Sequence, residues 1–465
     1  MQRREALGAA RLQMTRRNFE RDAHLLSTIT KERLALARVE TEQGKEVTDP
    51  AVRLLKKKVK AATGKLIGSE HSRYRMRSQI WSTSAYLGPP SLWMTINPSD
   101  INNPVAQVFA GENIDLDMFI SMTGPSSQKR AENIADDPYT GAKFFHFIVT
   151  AILETLFNVK VEGNKLKAKM GVLGRVAAYY GAVESQGRGT LHLHILIWLK
   201  DVPSADELPG LFENEDFQNR VKEYIQANIR SYLPGLESAQ TIQSIPNDKE
   251  FTFSRPPNPD LENYEEAIAY DELRLARIEQ LHTCKPRRCL VPDKTHRFRC
   301  KRHAPFQCSD VDCVLENGEW RSKRLYGYMN AWNPAILVNV RCNNDIKLLT
   351  NGRETKNITY YITAYTAKKQ GRTYNLSAAI AQGFSNHAKY PDQKYAESVQ
   401  DRSRLLLFRI LHAINREQEY AGPMVISHLM GWGEVIRSHT YGNIFWSSFV
   451  SKLLKAFPDI SQQAL

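Results

Sequence analysis

No apolar run in this 465-residue chain reaches the roughly 18–20 residues that a bilayer-crossing helix needs. Nor does the basic N-terminus carry the short apolar core of a secretory signal. A membrane-embedded protein is therefore not expected; a soluble, intracellular one is. There is no glycine-rich Walker A loop, so ATP-driven work is not expected of these residues. No internal repeat is present, which argues against a solenoid. Cysteine is scarce, six in all, and five of the six fall between Cys284 and Cys313. So local a cluster, interleaved with histidines, does not read as a disulfide framework.

Positive charge is in surplus. The formal net charge is +13, which favours a polyanionic partner. Residues 1–75 hold 18 Lys or Arg against 9 Asp or Glu and so carry most of the excess. Their pattern reads as helices with polar faces, including the Lys56, Lys57 and Lys58 run.

The richest stretch is Leu191 to Leu199. His192 and His194 alternate with apolar residues, so a strand puts both imidazoles on one face. From Ile195 onward both faces are apolar, as in a central strand covered on both sides. Two adjacent imidazoles suit a divalent metal. Upstream, a strand through Tyr179 and Glu184 runs into a turn where Gly187 and Gly189 flank Arg188. A hairpin there sets Glu184 or Gln186 against the histidines as a third ligand, with open positions left for catalysis.

Two further constellations follow. His282, Cys284, Cys289, Cys300, His303, Cys308 and Cys313 have spacings that a tetrahedral zinc site accepts. Residues 284–303 also contain eight Lys or Arg, Arg287 and Arg288 among them, and one acidic residue, making a basic knob suited to phosphate. Downstream of a β-rich run over Ala335–Cys342, Tyr361 and Tyr365 stand four residues apart, so a helix presents both on one face. Lys368 and Lys369 come one turn later. Cys342, in that apolar run, reads as a buried hydrophobe.

Organisation follows from these landmarks: a basic helical arm over 1–70, a sheet-bearing first half over 71–200, an insertion with the cysteine knob over 201–325, and a second half over 326–465. The sheet is expected to start near Ser78 and to resume at Trp332. Asp137 and Pro138 form a cap and first-turn pair for a helix burying Phe144, Phe145, Ile148, Ile152 and Leu156.

Together the motifs resemble the replication-initiator nuclease of Helitron transposons, a two-tyrosine member of the HUH endonucleases. The stretch from Ser78 to Asp100, with Thr95, Asn97 and Pro98, looks like the family's first strand and TxNP-type motif. Glu184, Gln186, Arg188, Gly189, His192 and His194 match its metal motif in spacing. Tyr361 and Tyr365 followed by lysine match its nucleophile helix. Leu429 to Gly433, with Ser438 and Tyr441, is similar to its closing segment. The likeness runs over about residues 70–450. One departure is Leu191, where the family commonly has proline; neither residue is a ligand.

The resemblance implies an α+β fold of the HUH/Rep type: a central antiparallel sheet flanked by helices, with the helical arm and a zinc-binding insertion. It implies Mn²⁺ or Mg²⁺ at the His192/His194 site, a structural Zn²⁺, and single-stranded DNA of a transposon end as partner. The activity implied is nicking and strand transfer through Tyr361 or Tyr365, with Lys368 and Lys369 assisting. DNA-contact candidates are Arg188, Arg287, Arg288, Lys56, Lys57 and Lys58. A helicase domain in a longer parent polypeptide is implied too, as is a nuclear location if the source is eukaryotic. A catalytically inactive DNA-binding relic, or a metallonuclease using water, would share many of these residues.

Overall fold

The structure, a computed structural model, describes residues 8, 19–63, 70–120, 123–185, 189–204, 206–286, 289–292, 297–350, 376–390, 398–416, 420–442, 444 and 446–457. Four helices lead in: α1 (Phe19–Ser27), α2 (Lys31–Glu42), α3 (Pro50–Thr63) and α4 (Glu70–Leu87). Then come β1 (Leu92–Asn97), α5 (Pro138–Ala151), and the hairpin β2 (Gly174–Ser185) and β3 (Leu191–Leu199). The following segment holds α6 (Glu215–Asn228), α7 (Tyr264–Leu275) and two small hairpins, β4 (Leu290–Pro292) with β5 (Phe298–Cys300) and β6 (Cys313–Val314) with β7 (Trp320–Arg321). The chain returns through α8 (Pro334–Val340), β8 (Asn343–Leu348), α9 (Leu376–Lys389), α10 (Val399–Arg416), α11 (Gly422–Leu429) and β9 (Val435–Arg437).

Among the described residues the main sheet has six strands, in the order β8-β1-β3-β2-β9, with the short strand Met170–Gly171 paired to β2. All of its pairings are antiparallel. β3 is central and buried along eight of its nine residues, as its apolar run requires. One face carries Leu92, Met94, Ile96, Leu193, Ile195 and Ile197 onto α5 and its neighbours. The other carries Trp93, Tyr180, Leu196 and Trp198 onto Met76 and Ile80 of α4. Helix α5 starts as its sequence indicates: the Asp137 side chain accepts from Tyr139 N and Pro138 takes the first turn. Phe144 and Phe145 of α5 are buried with Ile148 packed at the margin, and the turn Ile152–Leu156 that continues the helix buries Ile152 and packs Leu156 beside the core.

Three expectations need correction. Residues 78–87 belong to α4, not to the sheet, because Met76, Ile80 and Thr83 lie at helical spacing and pack on the sheet face. The run from Ala335 is helical. Asn333 caps Ile336 N, Pro334 occupies the first turn, and burial of Ile336, Leu337 and Val340 outweighs the β preference of Val and Ile. The sheet therefore resumes at Asn343 rather than Trp332, and Cys342 is fully buried just before the strand.

Helices α1 and α3 do not project freely. Phe19, Leu26, Leu55 and Val59 share a core with Ile380 of α9 and Leu406, Ile410 and Ile414 of α10. Lys58 is spent inside this lobe, buried with its Nζ 2.7 Å from Asp22, so it is not free for a phosphate; Lys57 is exposed. The closing segment puts β9 beside Tyr180–Ala182, the Ser438 hydroxyl accepts from Tyr179 N, and Tyr441 bonds Thr83.

Candidate metal centre and Cys/His cluster

Antiparallel register sets Glu184 directly opposite His192, and His194 opposite both Ala182 and Thr95. Residues opposite one another share a face, so Glu184, His192, His194 and Thr95 all lie on the α4 side of the sheet. The histidine Nε2 atoms are 3.1 Å apart, and the Glu184 carboxylate reaches them at 3.6 and 3.9 Å. The three residues are only 6–9% exposed. Thr95 Oγ1 lies 2.9 Å from His194 Nδ1, which leaves Nε2 turned towards the cluster. Trp93 stacks parallel to the His194 ring.

The donor set fits a divalent ion. Burial holds the His192 pKa down to about 4, with Arg302 adding to the effect and the Glu184 backbone opposing it, so the ring is a neutral ligand at pH 7. Metal–nitrogen distances of about 2.1 Å with a ligand angle near 90° would place two nitrogens about 3.0 Å apart, which is close to the spacing present. A carboxylate set at this depth against two imidazoles is stabilised by a cation among them.

Around this core the polar face continues. Asp345 lies opposite Thr95, and Asn97 Nδ2 donates to Asn343 Oδ1 at 2.8 Å. Asp345 escaped the sequence reading. The alternation of Asn343, Asp345 and Lys347 with Asn344, Ile346 and Leu348 was the available signal. Thr95 falls within a recognisable sequence motif, but its bond to His194 depends on strand pairing.

His282, Cys284, Cys289 and Cys300 bring one ligand atom each within 4.8 Å of one another. His282 Nε2 is 3.4 Å from Cys284 Sγ and 3.3 Å from Cys300 Sγ, and Lys285 N donates to Cys289 Sγ. Burial and the neighbouring sulfurs push the Cys284 thiol up to about 11, whereas Cys300 is lowered: backbone N–H groups of Ala304 and Arg302 and hydrogen bonds from Cys284 and Cys289 outweigh its burial. Sulfurs gathered this closely, with unequal acidity, are what a bound cation would equalise. The other three candidates fall outside the cluster. His303 is exposed at φ 63°, the exposed Cys308 faces the Phe306 and Leu325 carbonyls, and Cys313 sits in β6.

Gln186, Arg188, Arg287, Arg288, Tyr361, Tyr365, Lys368 and Lys369 lie outside the described residues. No described helix is long and apolar enough to cross a membrane.

Residues 2–197 match the family described as the Helitron helicase-like domain at N-terminus. This stretch is similar to that domain, and the likeness relates the protein to Helitron transposons. The match takes in Glu184, His192 and His194 and stops short of the Cys/His cluster and of Tyr361 and Tyr365. The chain matches no curated protein.

Proposed function

We propose that the protein is a metal-dependent nuclease that nicks single-stranded DNA and transfers strands through a 5′-phosphotyrosine intermediate, as in rolling-circle Helitron transposition. The observation that carries this reading is the convergence of Glu184, His192 and His194 on one sheet face inside the Helitron-matching stretch. These three would hold Mn²⁺ or Mg²⁺, which supplies polarisation of the scissile phosphate. A phenol with a pKa near 10 needs positioning and a nearby cation to act at neutral pH. Tyr361 or Tyr365 attacks phosphorus in line. The tyrosine O–P bond forms, the P–O3′ bond breaks, and O3′ keeps the electron pair and takes up the proton that the phenol loses. The phosphotyrosyl bond conserves the phosphodiester energy, so the reverse reaction joins strands without ATP. The second tyrosine permits a second cleavage before the first link resolves. Lys368 and Lys369 neutralise phosphate charge.

In this reading the HUH-type nuclease unit comprises 71–200 and 326–465, interrupted by the 201–325 insertion and preceded by the 1–70 segment. Zn²⁺ at His282, Cys284, Cys289 and Cys300 stabilises the insertion. Arg188, Arg287, Arg288, Lys56 and Lys57 contact the DNA backbone, and a helicase domain follows in a longer parent polypeptide.

The test is incubation of labelled single-stranded DNA with the protein and Mn²⁺, resolved on a denaturing gel. A covalent protein–DNA band is expected, lost when Tyr361 and Tyr365 are both changed to Phe and retained in Tyr360→Phe. Cleavage without a covalent band would mean that water is the nucleophile. A band surviving the double substitution would remove both tyrosines from the mechanism.

A further inference from the structure

Helix α4 covers part of the sheet face that carries Glu184, His192 and His194, and its two sides differ in kind. Inward, Met76, Ile80 and Thr83 recur at helical spacing and are buried. Contacts fix its place. Tyr180 Oη donates to Gln79 Oε1 at 2.8 Å, Trp198 Nε1 donates to the Gly88 carbonyl at 2.9 Å just past the helix end, and Thr83 Oγ1 lies 2.7 Å from Tyr441 Oη. Tyr180 pairs with Leu196, which follows His194 by two residues on the same face of β3. The row that anchors α4 therefore stands about 7 Å along the sheet from the row of His194.

Outward, Tyr74, Arg75, Arg77, Trp81 and Tyr86 are exposed, the three aromatic residues by 63%, 41% and 84%. Steps of about 100° per residue set Tyr74, Arg77 and Trp81 along one line of the helix, with Arg75 and Tyr86 on its flank, and the run from Tyr74 to Tyr86 covers about 18 Å. No Asp or Glu occurs from His71 to Leu87. Folding does not account for this face, because rings left in water forgo their burial while the helix already buries its other side. Aromatic rings interleaved with guanidinium groups, and free of carboxylates that would repel phosphate, suit single-stranded nucleic acid: bases stack on the rings and phosphates pair with arginine. A second copy of the chain is a poorer occupant, since each copy carries a net charge of +13.

We propose that the outer face of α4 is a binding track for single-stranded DNA beside the candidate metal centre, with Tyr74, Trp81 and Tyr86 stacking on bases and Arg75 and Arg77 holding phosphates. The inference takes the strand's identity as substrate from the nuclease reading above and adds a surface outside the reacting atoms. No bond forms or breaks on it; it holds the strand next to the site where cleavage takes place.

Fluorescence anisotropy of labelled oligo(dT) with the full chain, without added Mn²⁺, measures binding alone. Trp81→Ala and Tyr86→Ala should each weaken it about fivefold or more, and Trp81→Phe, which keeps a ring, should recover most of the loss. Tyr270→Ala, at an aromatic exposed on α7, should stay within about twofold of the parent. Arg77→Ala should lower the log–log salt dependence by about 0.7, the share of one phosphate on a single strand. Duplex DNA of the same length, whose base faces are hidden, should compete at least about tenfold more weakly. A parent that does not bind oligo(dT), Trp81→Ala binding as tightly as Tyr270→Ala, or duplex competing equally would each overturn the proposal. So would an oligomeric state that shifts in Trp81→Ala while the oligo(dT) affinity stays. The covalent-adduct assay decides the nuclease reading separately: a parent that binds oligo(dT) through α4 but forms no adduct ends that reading and leaves the track in place.

Discussion

Removing one hydroxyl from a central strand should weaken metal binding without unfolding the protein. Thr95 lies on β1 between β8 and β3, and its Oγ1 is 2.9 Å from His194 Nδ1. Thr95→Val keeps a β-branched side chain of nearly the same volume, so strand pairing and the stack of Trp93 on His194 should persist. What is lost is the partner of a buried ring nitrogen, worth about 1–3 kcal/mol when left unsatisfied. The ring is also freed to rotate away from the orientation that aims Nε2 at His192. Outer-shell bonds of this kind typically change metal affinity by about 10–100-fold, or about 1.4–2.7 kcal/mol. Calorimetric titration of Mn²⁺ into parent, Thr95→Val and Thr95→Ser proteins at pH 7 reads this directly, with thermal unfolding run in parallel. The serine variant, which keeps the hydroxyl, should recover most of the affinity. If the valine variant binds Mn²⁺ within about twofold of the parent, the Thr95 hydroxyl does not orient His194 for the ion. If His194→Gln also leaves the affinity unchanged, the metal centre itself is misassigned.

Metal analysis should find that Cys300→Ser loses the ion of the Cys/His cluster while Cys308→Ser and Cys313→Ser keep it, since the latter two stand outside the group of four; equal loss in all three would refute that ligand set. Lys58→Ala should destabilise the helical lobe by about 2–4 kcal/mol by leaving Asp22 poorly compensated, whereas Lys57→Ala, on the exposed side, should not; denaturant midpoints distinguish the two. His146, bonded to Ser427 and packed on Trp432, joins α5 to α11, and burial with nearby His428 holds its pKa down to about 4 from 6.5. The unfolded chain therefore takes up a proton between pH 6.5 and 4 that the folded state refuses. Its contribution, at most about 3 kcal/mol, is present above pH 6.5 and is lost as the pH falls towards 4. His146→Gln should flatten that part of the stability–pH curve, and an unchanged slope would remove His146 as its source.

Much of the candidate metal centre was legible because it depends on local periodicity. Alternation alone puts His192 and His194 on one face of β3, and a short connection ending in Gly189, at φ 88°, returns the chain so that Glu184 meets His192. The cap of α5 was readable for the same reason, since Asp137 and Pro138 act within one turn of the helix they start. Tertiary structure decided everything that depends on which elements meet. Four of seven cysteine and histidine candidates converge, and no spacing rule chooses His282 over His303, because the choice depends on how the β4–β5 hairpin brings Cys300 back to His282. Lys58 looks like any other lysine of a basic run until α1 brings Asp22 against it. The Ile and Val of α8 read as strand by propensity, yet capping at Asn333 and burial on the core side of β8 make them helix. Periodicity assigns residues to faces, because side-chain direction is a property of the local backbone. Partners across those faces are selected by the burial of distant segments against one another, and that energy is absent from any short stretch of sequence.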